Sequence, residues 1–185
     1  MAFLRLIAFR HAPVPFAGLC YGRLNTSVPI PGSAVDTICA KLGSSTPNII
    51  WSSDLSRCEV LARAVAVKVA ARHLIDHRLT EIAFGRWEGR TWIDIEAVEP
   101  EALQSWYRNW ETVGPPGGES ARQLESRVRS WWESLDPAQL HVLVAHAGVI
   151  RALRVIVKGA TWPDAMSVAV PYLADECFSA FVRST

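Results

Sequence analysis

The sequence has no apolar run near the roughly 18 residues a bilayer crossing requires. It also lacks the form of a signal peptide. Only Arg5 precedes a short apolar run, which Arg10-His11 then interrupts. A cytoplasmic chain with no membrane partner is expected. An excess of charge of one sign is missing too. The 19 Lys and Arg face 18 Asp and Glu, a formal net charge of +1, so no strong field draws the chain to nucleic acid. Cysteine is sparse. Cys20, Cys39, Cys58 and Cys177 contain no C-x-x-C pair, and no histidine stands at zinc-finger spacing. Buried, reduced thiols are expected rather than disulfides. Internal repeats and low-complexity tracts are absent.

What is present is ordinary globular composition, 50% apolar and 20% charged. The length fits one domain over 1–185, with enough chain to bury a core unaided. Leu4–His11 is an apolar run that ends in a cation and an imidazole. It reads as a buried strand with Arg10 and His11 at its carboxyl end, where open α/β sheets bind ligands. Pro13 disfavours an immediate helix. A Pro- and Gly-rich loop follows to Pro31, then a helix from Ser33 to about Leu42. Pro47–Trp51 predicts a second strand. Ser52-Ser53-Asp54 are cap residues for a helix reaching about Arg72, with Arg57 in its first turn. Glu59 and Arg63 are spaced for an i,i+4 pair. Thr91 caps a short helix toward Val98, Pro100 opens another to about Trp110, and Glu119–Leu135 is amphipathic. His141–Ala145 predicts a third strand, ending at His146, before a helix Val149–Lys158 closed by Gly159. Val168–Leu173 and Cys177–Val182 predict two last strands. Strands alternating with helices indicate an α/β domain with a largely parallel sheet.

Parallel strands bring Arg10-His11, Ser52–Arg57 and His146 to one edge. Two arginines and two histidines converging near helix N-termini suit a phosphate. Arginine holds its oxygens through a planar fork. A neutral imidazole can attack phosphorus and carry the phosphoryl group. Taken singly, each is ordinary: a histidine at a strand end hydrogen-bonds, and a helical arginine is solvated.

Arg10-His11 resembles the Arg-His-Gly signature of the histidine phosphatase, or phosphoglycerate mutase-like, superfamily. Ser52-Ser53-Asp54-Leu55-Ser56-Arg57 is similar to its Ser-Ser-x-Leu-x-Arg segment. Leu79-Thr80-Glu81 with Gly85-Arg86-Trp87-Glu88-Gly89 resembles its Leu-x-Glu-x-x-x-Gly-x-Trp-Glu-Gly block. Gly117-Gly118-Glu119-Ser120 and Val144-Ala145-His146-Ala147-Gly148 resemble two further motifs, in the family's order. The resemblance implies a three-layer α/β/α sandwich with a mostly parallel sheet, and a phosphatase that needs no metal or other cofactor. It implies that His11 is the nucleophile and forms a phosphohistidine. Arg10, Arg57 and His146 would bind the phosphoryl group. The backbone at Ala147 would approach it too, narrowed by a methyl where glycine is usual. Glu81 would be general acid and then base, a role that asks for a carboxyl protonated near working pH.

The chain departs from the pattern at Ala12, Pro13 and Val14, and at Ala17, where a phosphate-contacting Asn is common. Gly18-Leu19-Cys20-Tyr21-Gly22-Arg23 resembles a loop of the α-ribazole phosphatase subgroup, which acts in cobalamin nucleotide-loop assembly. Asn25 stands where that subgroup has Asp. A small phosphorylated metabolite is thus the expected partner, with α-ribazole 5′-phosphate ahead of other candidates. Another sugar phosphate or phosphoglycerate, a mutase, or a non-catalytic phosphate-binding module are the alternatives, and a homodimer stays open. Trp87, Trp92, Trp106 and Trp110 suit core or cover more than a pocket for a ring-bearing leaving group. His73 and His77 have metal-ligand spacing only if helical. Cys20 is expected to be an inert loop thiol.

Overall fold

A computed structural model describes residues 2–16, 18–26, 29 and 32–182. The chain runs β1 (Ala2–Arg10), α1 (Gly32–Leu42), β2 (Ile49–Ser52), α2 (Ser56–Lys68), β3 (Arg72–Ile75), α3 (Trp92–Val98), α4 (Pro100–Asn109), α5 (Ala121–Trp132), β4 (Leu140–Ala145), α6 (Ala147–Lys158), α7 (Trp162–Ser167) and β5 (Asp175–Val182). Single 3-10 turns lie at His77–Leu79 and Gly85–Trp87.

Alternation along the central strands sets the layers. Leu4, Leu6 and Ala8 of β1 join one apolar cluster, and Phe9 joins another. In β4, Leu143 and Ala145 belong to the first, Val142 and Val144 to the second. The first cluster takes Leu124 and Trp131 of α5, Leu153 of α6 and Trp162 of α7. The second takes Ile38 of α1 and Leu61 and Val65 of α2. Both sheet faces are covered, which is why these strands read as unbroken apolar runs. A third cluster, around Trp87, Ile95 and Leu103, packs α3 and α4 on Cys20. Gly85 lets this region close, because a Cβ there would strike the Pro116 carbonyl.

The sheet order is β3-β2-β4-β1-β5, parallel except for β5, which is antiparallel to β1. Arg10 lies opposite Ala145, and Ser52 opposite Val144. The carboxyl ends of β1, β2 and β4 therefore align, and the expected three-layer architecture is present. Thr91 caps α3 and Gly159 closes α6, both as expected.

Two expectations fail. The helix read as reaching about Arg72 ends at Lys68, and Arg72–Ile75 is an edge strand. With Arg72 and Ile75 exposed and His73 and Leu74 half-buried, it shows no continuous apolar run. Val168–Leu173 is not a strand. Arg154 donates to the carbonyls of Val168 (2.8 Å) and Ala169 (3.3 Å), and Arg10 to that of Val170 (2.6 Å). Side chains thus satisfy backbone acceptors that a sheet neighbour would otherwise take, and β5 occupies the place beside β1. Ala17 lies outside the described residues. Among the described residues, no helix is long and apolar enough to cross a membrane.

Candidate active site

His11 extends the ladder one residue past β1, its amide donating to the Ala145 carbonyl at 3.0 Å. Its ring is nearly buried, and Nδ1 lies 2.7 Å from the Ala12 carbonyl. A carbonyl only accepts, so Nδ1 carries the hydrogen and Nε2 keeps its lone pair. Burial pushes the pKa from 6.5 down to about 3; the Ala12 carbonyl opposes this, while Arg57 and Arg10 add to it. The imidazole is therefore neutral at physiological pH.

The two arginines are held by backbone. Arg10 donates from Nη1 to Val170, and its guanidinium carbon lies 3.8 Å over the Tyr172 ring. Among the described residues, its buried Nε has no hydrogen-bond partner. Arg57 is buried in the first turn of α2 and donates to the carbonyls of Leu24 (2.8 Å) and Gly22 (2.7 Å). That ties the Gly18–Arg23 loop to the site.

His146 caps the start of α6 and is fully buried, its ring 5.3 Å from that of His11. Its Nε2 meets Ser53 Oγ at 2.8 Å and lies 3.4 Å from Cys58 Sγ. Its pKa is driven well below 6.5 by burial first, then by Arg57 and His11. Ser53 serves this histidine as well as the Leu55 amide (3.3 Å). Ser52-Ser53-Asp54 is thus not a simple cap; Leu55 holds the cap position of α2 with no side-chain cap. Ala147 opens α6, so its amide lacks an intrahelical acceptor.

Glu81 is positioned from both ends. Oε2 accepts from the Gly148 amide (3.2 Å) and Oε1 from the Ile82 amide (3.0 Å). Its backbone carbonyl accepts from Arg127 (3.1 Å) and Arg23 (3.2 Å). Both arginines pair with Glu119. The Gly-Gly-Glu-Ser motif therefore works as the brace of Glu81. Gly148 has no room for a Cβ, which would overlap the Glu81 carboxylate.

A cavity of about 360 Å³ joins Arg10, His11, Arg57 and Glu81. Two further residues on its wall are Arg151 and Tyr172, which sequence reasoning did not single out. Arg151 follows His146 by five positions on α6, off the three- and four-residue spacing that marks a shared helix face, so no local pattern singled it out. Tyr172 lies in the segment misread as a strand. Its ring is 5.6 Å from that of His11.

The other residues singled out do not join this chemistry. His73 is on β3 and meets Ser52, while His77 is in a 3-10 turn and meets Asp54; the helical premise for a metal pair fails. Burial pushes the Cys20 and Cys58 thiols up to about 12, so neither is a thiolate. Trp87 is core, whereas Trp92 lines the cavity that holds His11, and Trp106 and Trp110 line a neighbouring one.

Comparison with known proteins agrees with this geometry. The histidine phosphatase superfamily (branch 1) model matches residues 34–174. The glucosyl-3-phosphoglycerate phosphatase of Mycobacterium tuberculosis is 31% identical over 176 residues, covering 86% of this chain and 78% of its own. A solved structure of the mycobacterial enzyme of that name superposes with a TM-score of 0.80 at 27% identity, over 96% of this chain and 90% of that one. The α-ribazole phosphatase of Shigella flexneri shares the fold, with a TM-score of 0.84 at 22% identity over 97% of this chain and 95% of that one. With that family match over most of its length, the chain belongs to the histidine phosphatase superfamily and is a phosphoric monoester hydrolase.

Proposed function

We propose that the enzyme is a metal-independent phosphomonoesterase that works through a phosphohistidine on His11, with α-ribazole 5′-phosphate as its substrate. The observation that carries the chemistry is the His11 hydrogen bond to Ala12, which leaves a neutral Nε2 in a cavity with two arginines. Nε2 gives its electron pair to phosphorus, and the ester P–O bond breaks. Glu81 supplies the proton to the departing alkoxide oxygen. Arg10 and Arg57 hold the non-bridging oxygens and the charge that develops on them. Glu81, now a carboxylate, takes a proton from water as that water attacks phosphorus. Phosphate leaves, and His11 returns to its neutral form.

Two features support the substrate. The Gly18–Arg23 loop, anchored by Arg57, borders the cavity, and Phe16, Tyr21, Phe84, Trp92 and Tyr172 stand around it. Aromatic walls suit a ring-bearing alcohol. One observation favours a second reading. Arg151 is partly buried on the same wall, and among the described residues it has no hydrogen bond or ion pair. An unpaired cation held partly out of water calls for an anion. A carboxylate on the leaving group, as in glucosyl-3-phosphoglycerate, would meet it. Phosphate release from both esters decides. A higher kcat/KM on α-ribazole 5′-phosphate, abolished in His11→Ala, is the expected result. A higher kcat/KM on glucosyl-3-phosphoglycerate would move the assignment to the second reading. Release that survives His11→Ala would overturn the mechanism.

A further inference from the structure

A second cavity, of about 240 Å³, adjoins the catalytic one, and the two share Glu81, Phe84 and Arg151. Past that threshold the wall is mostly apolar. Trp106, Tyr107 and Trp110 come from α4 and the residue after it, and Trp162 and Met166 from α7. We propose that this cavity is the leaving-group subsite and takes an apolar aromatic ring carried by the substrate's alcohol. The proposal rests on the phosphatase reading of His11 and Glu81.

Glu81 fixes the direction. A general acid must lie within hydrogen-bond reach of the bridging oxygen, so the alcohol begins at Glu81. On one side of that carboxyl lie His11 and the arginines, which claim the phosphoryl group. On the other side lies this cavity. Its size suits the occupant. An apolar cavity of about 150 Å³ already takes benzene, so 240 Å³ leaves room for a fused bicyclic ring. Its shape suits a flat one. Trp110 and Trp162 meet edge to face at 5.9 Å, and such walls favour a ring placed against them. Among the described residues, the charged groups of its wall are Glu81 and Arg151 at the threshold, so the many hydroxyls of a sugar would find few partners deeper in. The rim leaves apolar surface beside the catalytic cavity, with Tyr107 57% and Met166 45% exposed. Methionine there can adjust to the ring it covers.

The test compares naphthylethyl phosphate with n-propyl phosphate. Both release primary alcohols and need the acid equally, so the ratio of their kcat/KM values reads the ring alone. Burying the ring is expected to favour the aryl ester by about 100-fold. Met166→Trp fills the mouth and should cut that ratio at least tenfold, with propyl phosphate unchanged. Tyr107→Ala removes a wall and should lower it several-fold. A parental ratio near one, or a ratio untouched by Met166→Trp, would overturn the subsite. If neither ester is hydrolysed, the phosphatase reading fails separately. Calorimetric titration with naphthylethanol then tests the cavity alone. Binding to the parent that is lost in Met166→Trp supports the subsite, and no binding to the parent refutes it.

Discussion

Replacing Gly148 by alanine sets a methyl group against the Glu81 carboxylate, and the cost should depend on the leaving group. A Cβ at Gly148 overlaps Oε1 of Glu81 and touches Leu124 Cδ2 at 3.2 Å, while the amide that Oε2 accepts from is retained. The residue lies in the first turn of α6, so alanine gains up to about 1 kcal/mol in helix propensity. Forcing an extra methyl into a packed site costs about 1–3 kcal/mol. The net change in stability should therefore stay within about 2 kcal/mol, and the protein should fold. Catalysis is another matter. General acid catalysis contributes roughly 10²–10⁴-fold, and a displaced carboxyl forfeits much of it. For an alkyl phosphate, kcat is predicted to fall about 100-fold, or about 2.7 kcal/mol in barrier. For p-nitrophenyl phosphate, whose leaving oxygen scarcely needs a proton, the loss should stay below about 3-fold. Steady-state kinetics on both esters, beside a thermal melt, is the assay. Equal losses on the two esters, or no loss on either, would refute the assignment of Glu81 as the acid.

Further predictions follow from the same geometry. Ala70 has a left-handed φ of +55° and is exposed, so Ala70→Gly should stabilise the fold by about 1 kcal/mol and raise Tm by about 2–4 °C; a lower Tm would contradict the strain. His11 binds a proton in the unfolded chain at its ordinary 6.5 but in the native state only near 3, so the unfolded state gains protons as pH falls through that window. His11 should therefore remove about 2 kcal/mol of stability between pH 6.5 and 4.5. Urea melts of parent and His11→Asn isolate this from the paired carboxylates, whose lowered pKa values also favour unfolding in acid; equal slopes would contradict it. Tyr172 stacks on Arg10, so Tyr172→Leu should weaken phosphate inhibition about 3–10-fold while Tyr172→Phe preserves it, since cation–π contact is worth about 0.5–2 kcal/mol. Inhibition constants for phosphate decide, and equal losses in both variants would point to the hydroxyl instead.

The legible parts of the fold were those with one strong local cause. β1 and β4 are buried on both faces, so they stand out as apolar runs ending in charge. Thr91, Pro100 and Gly159 mark helix ends by chemistry that acts within one turn. The illegible parts depended on distant partners. β3 is four residues long and exists because β2 offers an edge. The Val168–Leu173 segment has a strand's composition, yet Arg154 and Arg10 take its carbonyls. The same division holds in the site. Arg10, His11, Arg57, Glu81 and His146 carry motifs. Arg151 and Tyr172 reach the cavity only through tertiary placement, and Glu119 braces Glu81 through arginines from two other segments. Nor did composition reveal which tryptophans were core. Trp87 is buried, while Trp106 and Trp110 wall a cavity beside Glu81.

The central claim is that His11 Nε2 carries the phosphoryl group. Rapid mixing of enzyme with a phosphomonoester, quenched in base on the millisecond scale, should trap a phosphohistidine that survives alkali and is lost in acid. Peptide mass spectrometry is predicted to place it on His11, with none formed in His11→Ala. A phosphoryl group on His146, or full turnover with His11 never labelled, would contradict the account.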